Sequence, residues 1–245
     1  MTSPPANDEP PIRTADRSWP ARAWYRLVRA AASTLFCAAG GLRATGHRHR
    51  TFDGGALLVS NHLSYLDAFV LGIPLGFPLN YIARSTLFLP LLGPLIRSVG
   101  GFPIRREGMG ASGLKETLRR VRDGGVVLLF PEGTRSRDGE LAELKSGIAV
   151  LAARAKVPII PAGLAGTFEA WPRNRPFPLS HPIRVHYGPP ILPEELAGLE
   201  PEAITALIRD RLLDCQRAAR RGLARDLGRR GDDAEIAVGR IDELD

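Results

Sequence analysis

The chain has 245 residues, of which 44% are hydrophobic and 24% are charged, a composition that is typical of a folded globular protein and excludes a disordered one. Its length favours a single α/β domain, or one domain with a small appendage. The net charge of +7 favours an acidic partner, but charge alone leaves nucleic acid, an anionic membrane and a phosphorylated substrate open.

The chain begins with residues 1–18, which are polar, contain prolines and lack the apolar core of a secretory signal. We predict that they form a disordered leader. The two cysteines, Cys37 and Cys215, lie far apart, so the sequence predicts neither a disulfide framework nor a zinc site. A reducing compartment fits this cysteine usage.

Residues 19–44 carry apolar side chains at three- and four-residue steps, with Arg22, Arg26 and Arg29 on the other side. Arginines interrupt the segment too often for a membrane-spanning helix, which needs about 20 predominantly apolar residues. The pattern predicts an amphipathic helix at a membrane interface, with its apolar face in lipid and its arginines at the headgroups. A helix that packs on the core of its own domain is the alternative.

The apolar run 56–59 predicts a buried strand that ends just before His62. Ligands of open α/β sheets gather beyond the carboxyl ends of the strands, so His62 and Asp67 are candidates for a general base and its orienting partner. A five-residue offset puts two side chains roughly 140° apart on a helix, so the chain must bend between them. Ser64 and Asp67 match a capping box, which makes Ser64 the expected N-cap and leaves His62 free to fold back. Alternatively, Asp67 only caps the helix and His62 is an ordinary loop residue.

The region from 71 to 96 is unusually apolar and contains a predicted strand at 81–83. Its run 87–96 is broken by two prolines, so it can neither span a bilayer nor readily form a regular helix. This run could line a pocket for an alkyl chain, or it could simply belong to the core.

Residues 99–104 predict a short strand that leads into Arg105 and Arg106. A helix is predicted at 110–123, and its arginines, Arg120 among them, are expected on the outer side.

The clearest buried strand, 126–130, leads directly into a turn that contains Glu132, Gly133, Thr134 and Arg135. Gly133 allows close approach of the backbone, Thr134 can donate a hydroxyl hydrogen bond, and Arg135 offers a planar fork for phosphate or carboxylate. This turn would lie at the same edge of the sheet as His62.

The C-terminal part continues the alternation of helices and strands. The pattern predicts a helix at 144–155, a strand at 157–161, a strand near an edge at 183–187 and an amphipathic helix at 201–221. Residues 222–245 are charged and predict a mobile tail. The fold class expected is therefore α/β: a single domain with a central, mostly parallel sheet flanked by helices and preceded by the amphipathic helix.

Four segments occur in one order along the chain. They are Asn61-His62 with Asp67 five residues after the histidine, Gly101 to Arg106, Phe130 to Ser136, and Val157 to Pro161. Together they resemble the four blocks of the glycerolipid acyltransferase family, whose best-known members are 1-acylglycerol-3-phosphate acyltransferases, the enzymes that form phosphatidic acid. The resemblance covers roughly residues 45–195, and four blocks in the right order are far more specific than any one of them.

The resemblance implies an acyltransferase domain over residues 45–221 with a catalytic pair and an acceptor site. His62 would be the general base and Asp67 would orient it. The residues implied to bind the phosphate and glycerol of the acceptor are Arg106, Glu132, Gly133, Thr134 and Arg135, with Lys145 and Gly147 in a further block of less defined role.

The resemblance also implies the reaction. An acyl group would pass from acyl-CoA or acyl carrier protein (acyl-ACP) to the free hydroxyl of lysophosphatidate or a related lysophospholipid. The chain has no G-x-S-x-G motif, which favours direct attack by the acceptor over an acyl-enzyme. We expect no cofactor, no metal and no nucleic-acid partner, and we expect a peripheral or monotopic protein on the cytoplasmic face of an anionic membrane.

Two other functions remain open at this point. A hydrolase would use His62 to activate water, and a lipid-binding or membrane-remodelling protein would need only the basic charge and the apolar segments. The phosphate-binding turn at Arg135 and the apolar lining are weak evidence against the hydrolase.

Overall fold

The computed structural model describes residues 18–46, 54–84, 90, 92–98, 100–104 and 111–228. These residues form a seven-stranded sheet with the order β1-β7-β6-β2-β5-β3-β4. The strands are β1 (Leu42–Thr45), β2 (Ala56–Ser60), β3 (Asn80–Arg84), β4 (Gly101–Ile104), β5 (Val126–Leu129), β6 (Ile159–Ala165) and β7 (Ile183–Tyr187). All neighbouring strands run parallel except β6 and β7, so the predicted α/β class with a mostly parallel sheet is confirmed.

Helices connect the strands and cover both faces of the sheet. They are α1 (Trp19–Ala38), α2 (Asp67–Gly72), α3 (Leu92–Ser98), α4 (Ala111–Arg122), α5 (Gly147–Ala155), α6 (Thr167–Ala170), α7 (Pro193–Leu196) and α8 (Pro201–Asp226), with a 3₁₀ turn at Ile73–Leu75. The helix α3 departs from the sequence expectation, because proline is tolerated in the first turn of a helix and Pro94 occupies that place.

The central strand β2 shows why the sheet forms. All five of its residues are buried, and successive side chains point to opposite faces of a sheet. Leu57 and Val59 pack into a core with α5 and α8, whereas Ala56 and Leu58 pack into a second core with α2 and β7. Both faces of β2 are therefore covered, which is why its sequence is a continuous apolar run rather than an alternating one.

The helix α1 is shorter than the predicted 19–44 segment, because Leu42–Thr45 forms the edge strand β1 beside β7. The Tyr25 hydroxyl donates to the carbonyl of Phe77 (2.8 Å), so one side of α1 is held against the domain. On another side, Leu27 and Leu35 are 62% and 67% exposed. One side of α1 therefore packs on its own domain, as the alternative for this segment expected, and the outward apolar side chains leave the membrane interface as a prediction.

Within the described residues, no helix is both long enough and apolar enough to cross a membrane.

Arg120 was expected on the outer side of its helix, and that expectation is wrong. Its side chain is only 2% exposed, it donates to Glu116 (2.7 Å) and Asn80 (2.8 Å), and its guanidinium lies over the ring of Phe102 (4.1 Å). These bonds tie α4 to β3 and β4. The burial of this charge is tolerated because the guanidinium is paired with a carboxylate, an amide oxygen and an aromatic ring.

The last helix also extends further than expected, to Asp226 rather than to Arg221. Leu223 is buried, and Asp226 accepts hydrogen bonds from Arg43 on β1 and Arg184 on β7. The segment 222–228 therefore belongs to the domain and not to a tail. The charge that suggested a tail is used in ion pairs at the edge of the sheet.

Candidate active site

The site forms where three neighbouring parallel strands end. In the register of the sheet, Val59 on β2 lies beside Leu129 on β5, and Ser60 lies beside Ala162 on β6. The chain segments that leave β2 and β5 therefore emerge side by side, in the position where ligands bind in open α/β sheets.

His62 and Asp67 meet as the sequence predicted. Nδ1 of His62 lies 2.8 Å from Oδ2 of Asp67, and the same oxygen accepts the backbone N–H groups of Leu63 (2.6 Å) and Ser64 (2.8 Å). Asp67 is fully buried, whereas the imidazole is partly exposed. A carboxylate oxygen that accepts these bonds requires the imidazole to donate from Nδ1, which leaves the lone pair on Nε2.

The local geometry differs from the predicted capping box in one respect. The helix α2 begins at Asp67 with Leu66 as its N-cap, so Ser64 is not the N-cap. The Ser64 hydroxyl instead accepts from the N–H of Leu66 (3.2 Å) and donates to the carbonyl of Trp171 (2.9 Å). Asp67 thus satisfies backbone donors and orients His62 at the same time, so the two interpretations of this residue are not exclusive.

Two further contacts, one aromatic and one polar, fix the position of His62. The imidazole stacks on the ring of Phe130, with centroids 4.0 Å apart and planes 13° from parallel. The Asn61 side chain forms a pair of hydrogen bonds with the backbone of Leu164, donating to its carbonyl (3.2 Å) and accepting from its N–H (2.8 Å). In this way Asn61 continues the pairing of β2 with β6 up to the residue before the histidine.

Glu132 is buried, and both of its oxygens accept backbone hydrogen bonds. One accepts the N–H of His62 (2.7 Å) and the other accepts the N–H of Ala142 (3.0 Å). The N–H of Ser136 donates in return to the carbonyl of His62 (2.7 Å). Glu132 was expected to bind the acceptor; the contacts observed support a positioning role, because this carboxylate joins the loop after β2 to the loop after β5.

Burial raises the pKa of Glu132 above its ordinary value, while the hydrogen bonds from Ala142 and His62 act in the opposite direction. The nearby Asp67 carboxylate also raises this pKa. The site thus holds two carboxylates close to one imidazole.

The turn after β5 presents Gly133, Thr134 and Arg135. Gly133 has a positive φ of 70°, a conformation that glycine adopts without strain, and both Gly133 and Thr134 are exposed. The Arg135 guanidinium lies 3.5 Å from the centroid of the Tyr65 ring. Its Nη1 is buried and has no hydrogen-bond partner among the described residues, so it can serve an anion without giving up another bond.

Lys145 and Gly147 lie close to this turn. The backbone N–H of Lys145 donates to the carbonyl of Pro131 (2.9 Å), and Gly147 is the first residue of α5. The expected site residue Arg106 lies outside the described residues. The strand before it, β4, runs parallel to β3 and β5, so the chain leaves β4 at the same edge of the sheet as His62.

Sequence reasoning missed Tyr65 and Trp171. Their rings lie 5.3 Å apart and are tilted by 55°, and the Arg135 guanidinium lies over the Tyr65 ring, so these three side chains form one cluster. The sequence carried no usable signal for this cluster, since Trp171 lies more than a hundred residues from Tyr65 and only the fold brings them together. Among the described residues, no group of three or more His, Cys, Asp or Glu side chains is placed to hold a metal ion.

Known proteins resemble this chain in sequence and in fold. The Acyltransferase family model matches residues 41–165. The chloroplastic 1-acyl-sn-glycerol-3-phosphate acyltransferase BAT2 of Brassica napus is 35% identical over 143 residues, which cover 57% of this chain and 41% of the relative. The 1-acyl-sn-glycerol-3-phosphate acyltransferase of Bacillus subtilis (strain 168) is 28% identical over 144 residues, which cover 58% of this chain and 71% of the relative.

The chain spans half or less of the length of the relatives from Brassica napus, Limnanthes douglasii and Arabidopsis thaliana. Its fold is also that of a solved structure, the 1-acyl-sn-glycerophosphate (LPA) acyltransferase PlsC from Thermotoga maritima. The TM-score is 0.69 at 22% sequence identity, and the match covers 85% of this chain and 82% of the other. Because the family model matches half of the chain, including His62, Asp67 and the turn after β5, this protein belongs to the acyltransferase family.

Proposed function

We propose that this protein transfers an acyl group from a thioester to the free hydroxyl of 1-acylglycerol-3-phosphate and so forms phosphatidic acid. The observation that carries the proposal is the placement of the oriented His62–Asp67 pair beside a turn whose Arg135 has a buried N–H that finds no partner in the part of the chain that the structure describes. A base and an anion site in one place suit an acceptor that carries both a hydroxyl and a phosphate.

In the proposed reaction, Nε2 of His62 takes the proton of the acceptor hydroxyl as the hydroxyl oxygen attacks the thioester carbonyl. The carbon–sulfur bond then breaks, and the imidazolium returns the proton to the leaving thiolate. Asp67 stabilises the imidazolium that exists between these two events and keeps Nε2 as the accepting nitrogen. No residue becomes acylated, so no serine nucleophile is needed.

Arg135 is proposed to bind the acceptor phosphate, and Arg106 is proposed as a second cation. A phosphate dianion beside an apolar acyl chain needs more than one cation if it is to leave water. The direction of β4 supports this arrangement, because Arg106 follows the end of that strand. The acyl donor is proposed to be a thioester of CoA or of acyl carrier protein.

Membrane association is part of the proposal, with the protein held at the cytoplasmic face as a peripheral or monotopic enzyme. The support is the outward apolar side of α1, where Leu27 and Leu35 are largely exposed, together with the net charge of +7. Both features suit a helix that lies in the interface of an anionic bilayer.

A thiol-release assay tests the proposed function directly. Purified full-length protein is given a long-chain acyl-CoA, with and without lysophosphatidate, and the free thiol is measured alongside the lipid products. We expect thiol release only when lysophosphatidate is present, with phosphatidic acid as the product. Release of thiol without an acceptor would instead identify a hydrolase, and absence of release with both CoA and carrier-protein donors would indicate a lipid-binding protein. Other lysophospholipids offered in place of lysophosphatidate define the acceptor.

A further inference from the structure

The loop between α6 and β7, residues 171–182, presents apolar side chains to the outside near the active site. Residues 173–180 are all exposed, and Phe177 and Leu179 are 76% and 54% exposed. Single exposed apolar residues are ordinary, but two large ones at the tip of one loop mark a surface that meets an apolar partner.

This α6–β7 loop is held in shape. The N–H of Leu179 donates to the carbonyl of Ala170 (2.7 Å), and the indole Nε1 of Trp171 donates to the carbonyl of Arg175 (3.0 Å). Prolines on both sides of Phe177 fix the backbone further, since proline has a restricted φ. The two apolar side chains are therefore displayed with little ordering left to occur on binding.

The charge of the loop indicates the nature of the partner. Arg173 and Arg175 precede Phe177, and residues 171–182 contain no Asp or Glu. Aromatic and aliphatic side chains next to arginines are the composition of protein segments at the bilayer interface, where the rings enter the acyl boundary and the arginines reach the phosphates. An anionic bilayer fits this loop better than an acidic protein surface, because an acidic protein would leave Phe177 and Leu179 without apolar contact.

The loop is also connected to the catalytic residues and to α1. At its start, the carbonyl of Trp171 accepts the Ser64 hydroxyl (2.9 Å), two residues from His62. At its end, the N–H of His181 donates to the carbonyl of Ala39 (2.9 Å), directly after α1. A membrane that holds both α1 and this loop would therefore lie next to the segment that carries His62.

We propose that the α6–β7 loop is a second membrane contact, in which Phe177 and Leu179 insert into the interface of an anionic bilayer. This contact holds the entrance of the His62 site at the lipid surface, so that an acceptor with a long acyl chain reaches the base without leaving the membrane. The proposed membrane binding follows from the features of the loop alone. Its consequence for catalysis rests on the proposed acyltransferase function.

The binding step is tested with the full-length protein and vesicles of equal parts phosphatidylglycerol and phosphatidylcholine. The variant is Phe177→Ser with Leu179→Ser, and the matched control is Leu192→Ser with Leu199→Ser, which removes two exposed leucines beside α7. We expect vesicle affinity to fall about tenfold or more in the first and to change less than about twofold in the control. Equal affinity of both double variants and the wild type would overturn the proposal.

A labelling experiment avoids the risk that the double variant folds poorly. Cys37 is replaced by serine, since it is exposed, and an environment-sensitive fluorophore is attached at Phe177→Cys or, as the control, at Leu199→Cys. We expect a blue shift on vesicle binding at position 177 and none at position 199. A label at 177 that stays in water on bound vesicles would overturn the proposal, as would a vesicle-independent shift that follows protein self-association.

The catalytic consequence is tested with two acceptors. We expect the Phe177→Ser, Leu179→Ser variant to lose activity on long-chain lysophosphatidate in vesicles and to keep wild-type activity on a short-chain, water-soluble form. Equal loss on both acceptors would show that the loop supports the site rather than the membrane contact. If the wild-type protein transfers no acyl group to either acceptor, the proposed function fails, while the vesicle and label measurements still decide whether the loop binds lipid.

Discussion

His62 and Asp67 depend on each other through one short hydrogen bond, and the same Asp67 oxygen also holds the backbone of the turn between them. Asp67 therefore has two roles, to orient His62 and to hold the backbone of the turn, and single substitutions can test each role separately. Asparagine offers an oxygen to backbone N–H groups about as well as aspartate does at the start of a helix, but it carries no charge to stabilise an imidazolium.

We therefore predict that Asp67→Asn keeps the fold and loses activity by at least about 10²-fold, and that His62→Ala loses 10²–10⁴-fold or more, the range expected for a positioned general base. Thermal melting and steady-state kinetics with both substrates measure the two effects. An Asp67→Asn protein with most of its activity would mean that Asp67 serves the helix and the loop only.

Arg135 is the second residue whose role can be isolated. Replacement by Ala should raise KM for the phosphorylated acceptor far more than KM for the acyl donor, because only the acceptor carries the phosphate that the guanidinium is proposed to bind. Lys should restore little, since it lacks the planar fork that stacks on Tyr65.

Arg137 provides a matched control for Arg135, because it is an exposed arginine two residues further along the same turn. Arg137→Ala should leave both KM values within about twofold, which corresponds to a few tenths of a kcal/mol. A similar small effect of Arg135→Ala would contradict a phosphate-binding role for that residue.

At the scale of elements, α1 combines two surfaces on one helix. The Tyr25 side is bonded to the domain, and Phe36 packs against the core that includes Leu58 and Tyr187. The side with Leu27 and Leu35 is exposed. Substitutions on the exposed side of α1 can therefore test membrane binding without changing the side that packs on the domain.

We predict that Leu27→Ser with Leu35→Ser weakens binding to anionic vesicles without lowering thermal stability, because both leucines are largely exposed in the folded protein. Ala23→Ser with Ala30→Ser, also at exposed positions of α1, is the control and should bind as the wild type does. Binding should also weaken with salt, since exposed charges are screened over about 10 Å at 0.1 M. Unchanged binding by the leucine variant at low and high salt would reject α1 as an anchor.

Helices and strands that leave a local hydrophobic pattern could be predicted from the sequence. Features that depend on contacts between residues far apart in the chain could not. The strands β2 and β5 are continuous apolar runs, and His62 and Asp67 lie within one short segment, so local reasoning was sufficient for them. Arg120 was misplaced because its partners, Asn80 and Phe102, come from other strands. An arginine on a helix is normally solvated, and nothing in the neighbouring residues indicates otherwise.

The end of α8 shows the same limit in another form. The stretch 222–245 as a whole is charged and poor in apolar side chains, and its composition matched a tail. Asp226 nevertheless belongs to the fold, because Arg184 and Arg43 meet it from two strands at the edge of the sheet. These partners lower the pKa of Asp226, with the Arg184 hydrogen bonds as the largest cause. Ion pairs between segments that are far apart in the chain produce no hydrophobic periodicity, so the pattern gave no sign that α8 continues to Asp226.

At the scale of the whole molecule, Glu132 links the site to the stability of the fold. Its pKa in the folded protein is raised, mainly by burial. A group of this kind contributes most to stability below its unfolded-state pKa, and this contribution is lost as pH rises through the raised folded-state pKa. Above this raised pKa the buried charge therefore opposes folding, and the two backbone hydrogen bonds offset part of that cost.

We predict that Glu132→Gln is destabilised at every pH, because its amide nitrogen turns a donor toward the N–H of His62 or Ala142. The difference from the wild type should shrink as pH rises from about 4, near the ordinary pKa of a glutamate, through the raised pKa of Glu132, since only the wild type loses stability as the carboxyl ionises. Denaturant unfolding of both proteins across this range measures the difference. A difference that grows with pH would contradict the raised pKa.

The bonds of His62 with Glu132 and Ser136 also bear on how the site of this protein could be changed by recombination. They fasten the segment after β2 to the segment after β5, so neither can be replaced by a segment of different shape without disturbing the other. In a chimera with a crossover between residues 68 and 130, the two segments would come from different parents. The Glu132 carboxylate of one parent would then have to accept a hydrogen bond from the backbone of the other. Residues 61–67 and 131–142 therefore form one exchangeable module, although more than sixty residues of chain lie between them.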